Sequence, residues 1–154
     1  MNNWTIIFER IKFVISKSNY MISNLSNISA ILFEKLDNLN WVGFYILKEN
    51  SLILGPFQGK DACTTIEIGK GVCGTAVQNN ETILVPNVHE FPGHIACDSC
   101  SNSEIVIPIH FNDEIWGVLD IDSPILNRFN EEDKTNLEEI VKIIEENINN
   151  WKYI

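Results

Sequence analysis

The chain has 154 residues, which is enough for one domain whose hydrophobic core needs no disulfide or metal to sustain it. Hydrophobic residues make up 45% and charged residues 21% of the sequence, a composition that excludes a disordered chain. The net charge is −10 and Lys and Arg do not cluster, which argues against nucleic acid or an anionic membrane as partner. The apolar start is interrupted by charges, and no apolar run reaches the roughly 18 residues of a membrane span. We therefore expect a cytoplasmic protein.

Residues 1–38 predict two N-terminal helices. Apolar side chains recur there every three or four positions, which places them on one face of a helix. These are Ile7, Ile11, Val14 and Ile15, followed by Ile22, Leu25, Ile28, Ile31, Leu32 and Leu36.

Residues 40–123 predict a sheet together with a long loop. Aromatic and branched runs at 41–47 and 52–57, joined by a short polar segment, predict a hairpin. A short helix over 72–78 and a strand over 82–85 follow. The runs 104–111 and 114–121 predict a second hairpin, with a tight turn at Asn112 and Asp113.

Residues 130–150 predict a C-terminal helix with Asn130 as its N-cap. Its apolar face comprises Leu137, Ile140, Val141, Ile144 and Ile148. Helices at both ends of the chain, around consecutive hairpins, predict a single α+β domain over residues 1–154. We expect an antiparallel sheet with the helices from both chain ends packed on one face.

An irregular segment over residues 87–103 carries two His and two Cys, and long irregular segments inside compact domains are usually functional. Cys97 lies there among polar, Gly and Pro residues, a setting that suits a reactive thiol. The alternative is that Cys97 is a small buried hydrophobic residue, as many cysteines outside disulfides are.

Three further cysteines permit other interpretations. Cys73 lies near the start of the predicted short helix, where backbone N–H groups stabilise a thiolate. Cys63 follows the first hairpin. Either cysteine could instead be an unreactive residue packed in the core. His94, Cys97 and Cys100 have a compact ligand spacing that Cys63 or Cys73 could complete as a zinc site. The paired C-x-x-C motifs of a zinc ribbon are absent, and Cys97-x-x-Cys100 lacks the βαβ context of a thioredoxin-type pair.

Glu104, Asp120 and Asp122 predict an acidic pocket. Asp120 and Asp122 alternate onto one side of an otherwise apolar strand, and Glu104 begins the neighbouring strand. Three such acids would attract a cation such as the ammonium group of an amino acid, and their repulsion would raise one pKa towards that of a general acid. Trp41 and Tyr45 share a strand face and could wall this pocket. Solvated acids at strand ends and aromatics in a plain core are the alternative.

Six segments of the sequence carry a resemblance to a known family. They are NWVGFY at 40–45, GPFQGK with Ala62 and Cys63, GKGVCGTA at 69–76, VPNVHEFPGHIACD at 85–98, Ser103 with Glu104, and WGVLDIDS at 116–123. In this order they resemble the free methionine-(R)-sulfoxide reductases, which are built on a single GAF domain. The resemblance implies a thiol-dependent reduction of free L-methionine (R)-sulfoxide to methionine.

The resemblance also implies roles for individual residues. Cys97 would be the catalytic cysteine, its sulfenic acid would be resolved as a disulfide with Cys73, and Cys63 would be a further exchanging thiol. The implied substrate-binding residues are Trp41, Tyr45, Glu104, Asp120 and Asp122. No metal and no cofactor is implied, and thioredoxin is the implied reductant.

Cys100 departs from the family pattern, in which a small residue is usual at that position. The sequence leaves open whether the protein forms a homodimer. A rival interpretation from another class is a GAF module that senses a small molecule without turning it over.

Overall fold

The computed structural model describes residues 3–94, 97 and 99–154. Its elements in chain order are α1 (Trp4–Ser16), α2 (Met21–Lys35), β1 (Trp41–Lys48), β2 (Ser51–Gly59), β3 (Thr65–Glu67), α3 (Gly71–Asn79), β4 (Ile83–Val85), β5 (Ser103–Phe111), β6 (Glu114–Ser123) and α4 (Glu131–Asn147). Short 3-10 turns lie at Val88–Glu90 and Ile148–Asn150. The strands form one antiparallel sheet in the order β3-β2-β1-β6-β5-β4.

Both predicted hairpins are present. In the first, β1 and β2 pair from Lys48 opposite Ser51 onward. In the second, β5 and β6 turn at Asn112 and Asp113, whose φ angles are 53° and 64°. Asn and Asp tolerate this left-handed backbone, which matches the twist of the two strands, so the turn residues set the pairing of the hairpin.

The sheet has two different faces. The face that we call the helix face packs against α1, α2 and α4 in the larger hydrophobic core, to which it contributes side chains such as Phe44, Ile107 and Leu119. The opposite face, the α3 face, packs against α3 in a smaller core that includes Trp41 and Tyr45. The expected antiparallel sheet with helices from both chain ends on one face is confirmed, and α3 covers the other face.

Helix α4 begins with a complete capping box. The Asn130 side chain accepts a hydrogen bond from the Asp133 N–H at 2.8 Å, and the Asp133 carboxylate accepts one from the Asn130 N–H at 3.0 Å. Asp133 also pairs with Arg128 at 3.1 Å. The apolar face predicted for this helix is buried throughout. The capping box fixes the first residue of the helix, and burial of the apolar face fixes its orientation against the sheet.

None of the helices described is long and apolar enough to span a lipid bilayer.

We expect Asn130→Ala to lower the free energy of unfolding by about 0.5–2 kcal/mol, because it leaves the Asp133 N–H without its capping acceptor. Urea-induced unfolding measures the change. Asn136→Ala is the matched control in the same helix: the Asn136 amide bonds only to the backbone of its own helix, so this change should be neutral or slightly stabilising. Equal losses in both variants would contradict the capping role.

Candidate active site

The register of three neighbouring strands brings the predicted binding residues together on the α3 face. Trp41 on β1 lies opposite Asp122 on β6, and Asp122 in turn lies opposite Glu104 on β5. Asp120, two residues before Asp122 on the same strand, points to the same face because side chains alternate along a strand. The two carboxylates of β6 therefore lie between an aromatic wall on β1 and a third carboxylate on β5.

These side chains line a pocket between the sheet and α3. About 500 Å³ of space lies between its walls when the open space at its mouth is counted. Lys70 and Gly71, at the start of α3, contribute to its lining, together with His94 and Ser101. Of the residues predicted from sequence, all but Cys63 line the pocket: Trp41, Tyr45, Cys73, Cys97, Glu104, Asp120 and Asp122.

The inner end of the pocket combines two carboxyls and a thiol. Donor atoms of Cys73, Glu104 and Asp120 lie within 4.8 Å of one another, and the three residues are only 3–6% exposed. Asp120 accepts hydrogen bonds from the Glu104 carboxyl and the Cys73 thiol. Its Oδ1 atom is buried and has no hydrogen-bond partner within the described part of the chain.

This crowding shifts the acidities of all three groups. Burial, followed by the charges of Asp120 and Asp122, raises the pKa of Glu104 well above its ordinary value. Burial also raises the pKa of Asp120, although the hydrogen bonds from Glu104 and Cys73 oppose the shift. Burial and the nearby carboxylates raise the pKa of Cys73 well above that of an ordinary thiol. The pocket therefore holds its protons to higher pH than exposed carboxyls and thiols do.

His94 adds an imidazole to the edge of this cluster. Its Nε2 lies 4.0 Å from Glu104 Oε1, and its side chain is 14% exposed. Burial, followed by the charge of His89, lowers the pKa of His94. At neutral pH the ring is therefore an uncharged hydrogen-bonding group.

The disulfide in the structure joins Cys63 to Cys97, with their Cα atoms 5.6 Å apart. It differs from the expected Cys73–Cys97 pair. Cys73 lies in α3, buried beside Asp120, where its thiol stays protonated and its thiolate is disfavoured. Cys63 lies instead in the segment that connects β2 to β3, where it reaches the loop that carries Cys97.

Two aromatic side chains hold the segment that carries Cys63. Tyr45 Oη donates a hydrogen bond to the Cys63 carbonyl at 2.9 Å, and Trp41 Nε1 donates one to the Lys60 carbonyl at 3.1 Å. Burial and the charge of Asp120 raise the pKa of Tyr45, which keeps its hydroxyl a donor. The sequence placed these aromatics on the pocket wall but did not reveal this anchoring, because the acceptors are backbone carbonyls in a loop.

Cys100 lies outside the disulfide. It is exposed, and Lys60 Nζ lies 3.9 Å from its sulfur. The zinc site considered from the sequence required thiolates from the loop cysteines, and in this structure the sulfurs of Cys63 and Cys97 are bonded to each other. Neither sulfur is a thiolate ligand in this state.

The chain is similar to proteins of known family. The family profile of the GAF domain matches residues 22–148, which include every pocket residue named above. The free methionine-R-sulfoxide reductase of Escherichia coli (strain K12) is 52% identical over 124 residues, covering 80% of this chain and 75% of that protein.

Two solved structures with substrate extend the comparison. The structure of fRMsr of Staphylococcus aureus in complex with substrate has a TM-score of 0.91 and 55% identity, covering 96% of this chain and 97% of that chain. The free methionine-R-sulfoxide reductase from Neisseria meningitidis in complex with its substrate has a TM-score of 0.92 and 40% identity, covering 95% and 88%. Both similarities extend over nearly the whole chain.

We expect Glu104→Gln to raise the free energy of unfolding at neutral pH, because it removes a carboxyl whose ionised form is disfavoured by burial and two neighbouring carboxylates and which must therefore take up a proton on folding. Folding raises the pKa of Glu104, so the wild-type penalty is absent below the unfolded value of 4.5 and grows as the pH rises above it. The difference in free energy of unfolding between the variant and the wild type should therefore increase with pH from about pH 4.5. Its final size is about 1.4 kcal/mol for each unit by which folding raises the pKa of Glu104. Urea unfolding across this range measures it.

Glu114→Gln is the matched control for that series, since Glu114 is an exposed carboxylate at the start of β6. It should leave the pH profile of stability unchanged. A stability gain in Glu104→Gln that is constant with pH, or larger in acid, would contradict the repulsion described above.

Proposed function

Since the chain belongs to the free methionine-R-sulfoxide reductases, a family with the GAF fold, we propose that it reduces free L-methionine (R)-sulfoxide with Cys97 as the nucleophile. It is an oxidoreductase that acts on methionine sulfoxide. One observation carries the residue assignment: Cys97 opens onto the same pocket as the buried acids Glu104 and Asp120. A nucleophile, a proton donor and a cation-binding group thus share one small cavity.

The pocket supports recognition of a free amino acid. Carboxylates of Asp120 and Asp122 would bind the substrate ammonium group, which compensates the negative charge gathered there. Trp41 and Tyr45 would cover the apolar part of the substrate chain, since their rings stack with centroids 5.9 Å apart. A methionine inside a peptide has no ammonium group and would leave buried carboxylates uncompensated.

The first chemical step would transfer oxygen from the substrate to Cys97. The Cys97 thiolate attacks the sulfoxide sulfur as the sulfoxide oxygen is protonated. The hydroxyl then passes to the Cys97 sulfur while the new bond between the two sulfurs breaks and leaves its electron pair on the methionine sulfur, so that methionine and a Cys97 sulfenic acid result. Glu104 is the candidate proton donor, because its raised pKa keeps it protonated at pH values where ordinary carboxyls are ionised.

The second step would resolve the sulfenic acid. A thiol condenses with it, releasing water and forming a disulfide, which an external dithiol such as thioredoxin then reduces. The Cys63–Cys97 bond favours Cys63 as the resolving thiol in place of Cys73. Cys73, buried and protonated, would instead donate a hydrogen bond to Asp120 inside the substrate pocket.

A turnover assay with separated epimers and a dithiol reductant tests the function. We expect free methionine (R)-sulfoxide to be consumed. The S epimer and peptide-bound sulfoxide should react at least roughly a hundredfold more slowly. N-acetyl-methionine (R)-sulfoxide is the matched substrate, since it lacks only the ammonium charge. Equal rates on the free and acetylated substrates would refute recognition of that charge by the acids. Substrate binding without turnover would favour the GAF sensor interpretation.

Single-turnover measurements on cysteine variants test the thiol roles. Cys97→Ser should release no methionine, because the nucleophile is absent. Cys63→Ser and Cys73→Ser should each release about one methionine per chain, because the first step needs only Cys97, whereas Cys63→Ser should recycle slowly with the dithiol. A methionine burst in Cys97→Ser would assign the nucleophile elsewhere.

Disulfide mapping of the same reactions extends this test to Cys100. After one turnover of Cys63→Ser/Cys73→Ser protein without reductant, a Cys97–Cys100 bond would identify Cys100 as a backup resolving thiol. Persistent sulfenic acid at Cys97 with Cys100 still reduced would exclude that role. Mass spectrometry of proteolytic fragments distinguishes the two results.

A further inference from the structure

We propose that Cys73, Glu104 and Asp120 form a binding site for a soft divalent cation such as Zn²⁺. The three buried residues offer a sulfur and two carboxylate oxygens within 4.8 Å of one another. Sulfur and carboxylate oxygen are donors that zinc sites in proteins use.

The spacing of the donor atoms is close to that of a tetrahedral site. Zinc bonds of about 2.0–2.3 Å place ligand atoms about 3.3–3.7 Å from one another. The donors of the three buried residues are separated by at most 4.8 Å. A bound ion therefore requires these donor atoms to lie closer together than they do here.

A second observation points to a ligand at the same place. Asp120 is 6% exposed, yet its Oδ1 atom has no hydrogen-bond partner within the residues that the structure describes. A buried carboxylate oxygen in that condition is costly unless something binds it. A cation bound between Asp120, Glu104 and Cys73 supplies that partner and neutralises the negative charge that gathers there.

This site does not depend on the redox state of the loop cysteines. Cys63 and Cys97 are joined in the disulfide, whereas Cys73 keeps its thiol. The cation would therefore bind the oxidised protein as described. A site that used Cys63 or Cys97 as a ligand would be lost in the oxidised protein, because both sulfurs are then bonded in the disulfide.

Occupation of the site would exclude the substrate. This part of the inference rests on the proposed function, because it assumes that the substrate ammonium binds the same carboxylates. Zn²⁺ would then act as a competitive inhibitor, and free methionine sulfoxide would weaken the apparent affinity for the metal. Binding of the metal itself requires no turnover, so the two claims can fail separately.

The experiment uses Cys100→Ser protein with the Cys63–Cys97 disulfide intact, which leaves Cys73 as the remaining thiol of the four cysteines. Cd²⁺ is added as a spectroscopic probe, and Zn²⁺ affinity is measured by competition with a chromophoric chelator. We expect one ion per chain, a sulfur-to-metal charge-transfer band with Cd²⁺, and release of protons on binding.

Variants then assign the ligands. Adding Cys73→Ser should abolish the charge-transfer band and weaken Zn²⁺ binding at least about tenfold, and Asp120→Asn should weaken it by a similar factor. Asp113→Asn is the control: it makes the same change in an exposed turn and should leave the affinity unchanged. Near-ultraviolet circular dichroism, to which the buried Trp41 and Tyr45 contribute, checks that each variant keeps its tertiary structure.

Absence of the band in folded Cys100→Ser protein, or Zn²⁺ affinity equal with and without Cys73, would overturn the site. Turnover of the same preparation, stripped of metal and assayed with a phosphine reductant, separates this result from the proposed function. Turnover without metal binding leaves the function standing and removes the cation site. Metal binding without turnover supports the site and removes the function.

Discussion

The pairing register of β6 between β1 and β5 is the constraint on which the site depends. Leu119 and Ile121 on β6 are fully buried in the core against the terminal helices. Because side chains alternate along a strand, Asp120 and Asp122 must then face α3. A slip of one residue would bury both carboxylates in the helix-facing core and remove two large aliphatic side chains from it. The hydrophobic core therefore fixes the position of the pocket acids, even though it lies on the opposite face of the sheet.

Cys63 and Cys97, in contrast, lie on connecting segments that the sheet must position. Trp41 and Tyr45 bridge the two parts, since their side chains line the pocket and their polar ends bond to the segment that carries Cys63. Gly43 makes this arrangement possible: a Cβ there would lie 2.6 Å from the Trp41 ring and 2.4 Å from Phe57 Cβ. The aromatic wall lies flat across β1 because that strand lacks a side chain at this position. Hydrogen bonds from the sheet thus anchor the connecting segment that carries Cys63, one of the two cysteines of the disulfide.

The sequence predicted the features that depend on local periodicity or on a single residue type. The two hairpins, the cap at Asn130 and the shared face of Asp120 and Asp122 belong to this group, because each follows from spacing along one segment. The three-residue strand β3 carried too little pattern to be identified. The structure joins Cys97 to Cys63 and not to the expected partner Cys73: pairing depends on the separation of segments 34 residues apart, which no local pattern encodes.

The acids of the pocket impose opposite requirements on stability and on function. Burying Glu104 and Asp120 beside each other lowers the stability of the folded state at pH values where these two carboxyls are ionised in the unfolded chain. The same charge attracts a cationic group, and a ligand that binds only the folded protein returns stability in proportion to its affinity and concentration. Cys73 gains from this arrangement as well, since carboxylates that disfavour its thiolate keep it from reacting as a nucleophile beside Cys97. The negative charge of these buried acids therefore favours a cationic ligand and a retained proton, and it keeps Cys73 a thiol.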